Sequence, residues 1–133
     1  LGVGGFIWVA TANAEGVFRA LYGKLSTDAF GAVSSGNYVG YQIENTTITK
    51  LYACKANVLT AIDVTVAGVS DGVMIWIESN NGTVTWYVNG AAVGTTAAGP
   101  VVAGAQGSIT FEVGNGATAA NYILRYSSFS LGN

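Results

Sequence analysis

The sequence predicts an all-β chain folded as a two-sheet antiparallel β-sandwich or jelly roll, and three observations carry that prediction. About nine or ten short apolar or alternating segments follow one another, separated by Gly/Asn turn signals. No segment shows a sustained helical period of apolar residues. The stretch Val73–Thr95 contains two Asn-Gly pairs, Asn81-Gly82 and Asn89-Gly90, each between strand-favouring residues. Type I′ turns need positive φ at both central positions, which Asn and Gly adopt most cheaply, so the stretch reads as a three-stranded meander. A two-residue loop at Asn81-Gly82 then pairs Asn80 with Thr83, Glu78 with Thr85, Ile77 with Trp86, Trp76 with Tyr87 and Ile75 with Val88. Period-two alternation puts Ile75, Ile77, Val84, Trp86 and Val88 on a core face, and Met74, Trp76, Glu78, Thr85 and Tyr87 on the other.

Taken in order, Gly5–Ala10 is apolar throughout and reads as a strand buried on both faces or at an intersheet contact, which makes Trp8 a core residue. Val17–Tyr22 has a partial helical stripe with Asn13 as an N-cap, but Gly16 and Gly23 bracket it tightly and a strand is favoured, in a hairpin with the first. Lys24–Asn37 is small and polar, a loop with one short strand anchored by Phe30 and Val33. Asn37–Glu44 alternates with Val39, Tyr41 and Ile43 on one face; Ile48–Cys54 and Val58–Ala67 follow as strands. Beyond the meander, Pro100 marks a loop or strand edge. Ser108–Val113 puts Ile109, Phe111 and Val113 on one face, and Asn121–Leu131 sets Tyr122, Leu124 and Tyr126 against Ile123 and Arg125.

Composition bounds the function. The 133 residues suit one domain, 1–133, with 50% hydrophobic residues but only 9% charged and 19 glycines. Such a neutral, hydrogen-bonding surface suits packing against copies of the chain or contact with uncharged ligands. Five cations and a net charge of −2 do not build a phosphate-tracking stripe, so nucleic acid is not an expected partner. Residues 79–111 carry no charge, yet Gly, Thr and Asn interrupt every apolar run far short of the ~20 residues of a membrane span, so membrane insertion is not expected. The chain opens on Leu1 without a basic flank and an apolar run of signal-peptide form, and reads as a processed form or the ordered part of a longer product. Cys54, the single cysteine, reads as a small buried residue.

The segments Tyr38-Val39-Gly40-Tyr41-Gln42-Ile43-Glu44, Ile75-Trp76-Ile77-Glu78, Val84-Thr85-Trp86-Tyr87-Val88-Asn89-Gly90-Ala91-Ala92-Val93 and Tyr122–Leu131 resemble, in kind and order, the concanavalin A-like lectin/glucanase sandwich found in bacteriophage structural and tail proteins. The resemblance spans about residues 37–131. It implies two curved sheets, carbohydrate on a concave face or rim loops where any is bound, and a virus particle as the setting. Enzymes of that class place carboxylates in a Glu-x-Asp-x-x-Glu pattern along one strand, and this chain departs from it. No two of its seven acids lie closer than seven positions in sequence, so no single strand presents the close pair that a retaining glycosidase requires.

Without histidine, Ser-His-Asp, Cys-His and His-zinc chemistry are excluded. No Gly-Lys-Ser/Thr phosphate loop is present, and Asp71, Asn80 and Asn81 already have a conformational reason to stand in turns, so no metal or cofactor is expected. The candidate site is the aromatic face of the meander: Trp76 and Tyr87 as a platform for a sugar ring with Glu78 and Thr85 as polar contacts, or the same residues as a subunit interface. The expected function is that of a non-catalytic virion structural protein, a head decoration, fibre or tail-associated subunit, at a virion or extracellular surface. Its partners are copies of itself and other particle proteins, with host-surface glycans as a further contact. The alternative is a carbohydrate-binding module or adhesin using the aromatic face.

Overall fold

The computed structural model describes residues 2–23, 33–34, 36–100, 109–117 and 120–127, together with the backbone of 128–131. Among the described residues, ten strands form two antiparallel five-stranded sheets. They are β1 (Gly2–Thr11), β2 (Val17–Tyr22), β3 (Tyr38–Glu44), β4 (Thr47–Lys55), β5 (Val58–Val66), β6 (Val73–Asn80), β7 (Thr83–Val88), β8 (Ala91–Thr96), β9 (Ile109–Gly114) and β10 (Ile123–Leu131). One sheet, here sheet A, has the order β10-β1-β6-β7-β8; sheet B has the order β5-β4-β3-β2-β9. The only helical piece among the described residues is a single 3-10 turn, Val69–Asp71, between β5 and β6.

The expected hairpin between the first two strands does not form. β1 lies in sheet A between β10 and β6, whereas β2 lies in sheet B between β3 and β9. Asn13 stands at the corner where the chain changes sheets. Its buried side chain accepts from Glu15 N (2.9 Å) in an Asx turn and donates to the Ala120 carbonyl (3.0 Å), tying the β1–β2 corner to the approach of β10 instead of capping a helix. Tyr122, just before β10, fastens the same corner. Its ring fills the space that a Cβ at Gly16 would take, and its hydroxyl donates to the Asn45 carbonyl at 2.7 Å.

The core forms where the two sheets face each other. Ile7, Val9, Val73, Ile75, Ile77, Val84, Trp86 and Val88 of sheet A pack against Phe18, Ala20, Tyr22, Val39, Tyr41, Ile43, Ile48, Leu51 and Ala53 of sheet B. These are alternate residues along each strand, as a pleat with one buried face requires, except in β4, where a register shift separates Ile48 from Leu51. Trp86 is the largest fully buried side chain, and its indole Nε1 donates across the sandwich to the Gly40 carbonyl at 2.9 Å. Tyr22 and Tyr126 meet hydroxyl to hydroxyl between the sheets, Tyr126 also reaches the Gly4 carbonyl at 3.4 Å, and the Tyr41 hydroxyl is buried beside them. Burial raises the pKa of all three. A smaller cluster of Leu21, Tyr38, Tyr52 and Cys54, with Val33 and Leu59 against it, covers one end of the outer side of sheet B, and Cys54 is fully buried there. The expected short strand within Lys24–Asn37 and its anchor Phe30 fall largely outside the described residues; Val33, Ser34, Gly36 and Asn37 stand in turns and bends.

The meander carries the predicted register. Trp76 pairs with Tyr87, Ile77 with Trp86, Glu78 with Thr85, Ile75 with Val88 and Asn80 with Thr83. Asn81 and Gly82 have φ of 51° and 88°, and Asn89 and Gly90 of 50° and 85°, the positive pairs of type I′ turns. The second turn does more than reverse the chain, because Asn89 N donates to the Met74 carbonyl (2.8 Å) and Met74 N donates to Asn89 Oδ1 (2.9 Å). Asn81→Ala is therefore expected to cost about 1 kcal/mol, the left-handed backbone penalty alone. Asn89→Ala adds a lost hydrogen bond and is expected to cost about 2 kcal/mol. Urea unfolding of the two variants side by side measures the difference, and equal losses would contradict the clamp on β6.

Candidate surface on the outer face of sheet A

The strand register arranges the outer side of sheet A in rows across the strands. Arg125 of β10 lies opposite Trp8 of β1; Ser127 lies opposite Phe6, which pairs with Met74. Gly4 pairs with Trp76, which pairs with Tyr87. Gly2 pairs with Glu78, Glu78 with Thr85, and Thr85 with Thr95. Phe6, Trp8 and Met74 are 43%, 40% and 39% exposed, while Trp76, Tyr87 and Thr85 are half-buried and Glu78 is exposed.

All four sequence-predicted residues, Trp76, Tyr87, Glu78 and Thr85, thus share this face. Their neighbours explain their burial. The six-membered ring of Trp76 occupies the space that a Cβ at Gly2 would need, so glycine on β1 lets the indole lie over the neighbouring strand. Trp76 Nε1 donates to Glu78 Oε1 at 3.2 Å, and the Thr85 and Thr95 hydroxyls lie 3.1 Å apart. The lateral neighbours of Glu78 are Gly2 and Thr85, so no second carboxylate stands beside it on either strand.

Trp8 is the correction. The sequence reading placed it in the core on a strand apolar throughout, but β1 is two-sided: Ile7 and Val9 point into the sandwich, whereas Phe6 and Trp8 point outward. Both alternating sets are apolar, so hydropathy does not distinguish them. The Arg125 guanidinium stands 5.7 Å from the centroid of the Trp8 ring, close enough for a cation–π contact. Phe6, Trp8 and Arg125 were not placed on this face from the sequence, because they join Met74 there only through the pairing of β1 with β6 and β10, partners some 70 and 120 residues away.

The outer side of sheet B is different in kind. A single register row crosses all five strands as Glu112, Arg19, Gln42, Lys50 and Asp63. Arg19 pairs with Glu112 at 3.3 Å and donates through Nε to Gln42 Oε1 at 2.8 Å; the Tyr52 hydroxyl donates to the same oxygen at 2.8 Å, and Lys50 meets Asp63 at 2.5 Å. Charge is thus concentrated and partnered on sheet B, whereas sheet A presents aromatics. Among the described residues no group of three or more Cys, Asp or Glu stands close enough to hold a metal ion, and no helix is long and apolar enough to cross a membrane. Compared with protein-family models and with curated proteins, the chain matches none.

Proposed function

We propose that the protein is a non-catalytic structural subunit of a virus particle, a decoration, fibre or tail-associated component, working by repeated packing through its uncharged sheet face. The observation that carries this reading is the cluster of Trp8, Phe6, Met74, Trp76 and Tyr87 on one sheet face, with three of these side chains about 40% exposed. Contiguous exposed aromatic surface is uncommon on a monomer and is the usual composition of an interface centre. The two-sheet architecture is compatible with the concanavalin A-like jelly roll that the segments 37–131 resemble, and that resemblance is what points to a particle. The expected site of action is the virion or another extracellular surface, with copies of the chain and other particle proteins as partners.

The second reading, a carbohydrate-binding module, is favoured by one feature: Trp76 and Tyr87 lie side by side with the Glu78 carboxylate and Thr85 hydroxyl next to them. Aromatic rings flanked by polar groups suit the apolar face of a sugar. Quantitative mass spectrometry of purified particles distinguishes the two. Stoichiometric presence is the expected result, while a chain absent from particles that binds glycans, and loses binding in Trp76→Ala with the fold retained, would replace the first reading by the second.

A further inference from the structure

We propose that the outer face of sheet A is a two-fold interface between two copies of this chain, in which Arg125 of each copy meets Glu78 of the other. The inference rests on the packing-subunit reading and names the surface and its partner.

Two observations select a second copy as the occupant. The first is charge. On the described strands of this face, Arg125 and Glu78 are the only charged residues, and they stand at opposite ends of a diagonal. Arg125 is level with Trp8 on one side of β1, and Glu78 is level with Gly2 on the other. The separation is about 20 Å along the strands and about 10 Å across them. A two-fold axis lying in the interface and crossing above β1 between Gly4 and Phe6 exchanges the two ends. Each copy then sets its one cation against the other's one anion, the self-complementarity that an isologous contact requires. Around the axis, on the same face, lie Trp8, Phe6, Met74, Trp76 and Tyr87. This is the arrangement of an apolar centre with a polar rim.

The second observation is size. Five strands about 4.8 Å apart and about eight residues long project to about 600 Å² before side-chain relief is counted. That approaches the ~800 Å² per partner of a stable interface, far more than one sugar ring covers.

Sedimentation velocity on the wild type, Arg125→Glu, Glu78→Arg and the double variant tests the pairing. The wild type is expected to be a dimer. Each single reversal opposes like charges twice and is expected to weaken association about tenfold or more, and the double reversal to restore it. Arg125 also contacts Trp8, and Glu78 accepts from Trp76, within one chain, so near-ultraviolet circular dichroism of each variant is compared first. Should either single variant misfold, Met74→Lys puts an exposed cation in the middle of the row and is expected to give a folded monomer.

A wild type that stays monomeric at its highest soluble concentration overturns the inference. So do single reversals that leave the dimer intact, a double variant as weak as the singles, or a monomer whose face binds a glycan array through Trp8. A dimer with the expected reversal pattern that is absent from particles keeps this inference and removes the particle reading. Particles containing the chain without that pattern do the reverse.

Discussion

Trp86→Ala is expected to lower the unfolding free energy by about 3–5 kcal/mol, the range for truncating a large buried aromatic. Trp86 has no exposed surface, and its indole spans the gap between sheets to the Gly40 carbonyl in the middle strand of sheet B. Truncation leaves a void lined by both sheets, and its neighbours sit on hydrogen-bonded strands that relax little into it. A domain of this size is stable by about 5–15 kcal/mol, so a third or more of the total is at stake. Trp86→Phe separates the contributions. It keeps most of the ring and loses the donor, and is expected to cost about 1–2 kcal/mol. Urea denaturation with near-ultraviolet circular dichroism measures both. A loss under about 1 kcal/mol for Trp86→Ala would mean that the indole does not bridge the sheets.

The second large effect is alkaline unfolding. Burial pushes Tyr122 up to about 12 and holds the hydroxyls of Tyr22, Tyr38 and Tyr41 protonated well above the usual range. In the unfolded chain each releases its proton near 10. Below pH 10 both states carry the proton and stability is unaffected. As pH rises above 10 the unfolded state loses protons that the folded state keeps, and stability falls until the folded values are passed. At pH 11 each such tyrosine favours unfolding by on the order of 1 kcal/mol, so that several together take a large part of the stability of a small domain. A cooperative transition between about pH 10 and pH 12 is expected, with phenolate absorbance and loss of tertiary circular dichroism rising together. Tyr41→Phe removes one of these buried hydroxyls and is expected to move the transition upward. Gradual tyrosine titration near pH 10 with the fold intact would show that these hydroxyls reach water.

What was legible in the sequence was local. The β6–β7 register follows from one Asn-Gly turn, because a two-residue I′ loop leaves a single pairing and alternation then assigns every side chain to a face. The grouping of Trp76, Tyr87, Glu78 and Thr85 came from that register alone. The placement of β1 was not legible. Its partners are remote, both alternating sets of its side chains are apolar, and the adjacent turn looked sufficient for a hairpin with β2. Asn13 instead bonds the Ala120 carbonyl, a contact that no local pattern announces. The same gap hid Trp8. Ile109, Phe111 and Val113 share a side of β9 as expected, yet they are 39%, 47% and 51% exposed, because β9 is an edge strand of sheet B and period-two alternation gives a side without saying whether it is covered.

The position of β1 has a consequence for how the fold is reached. The hydrogen bonds of Gly2–Thr11 go to residues 73–78 on one side and 123–131 on the other, so this strand has no partner until residues 73–78 are made and its second side waits for 123–131. Closing loops of that length before any contact rewards them puts refolding in the slow class of β-rich topologies, milliseconds to seconds. During that wait Phe6, Ile7, Trp8 and Val9 form an uncovered apolar strand, the kind of segment that chaperones hold and that aggregates first in a crowded cell.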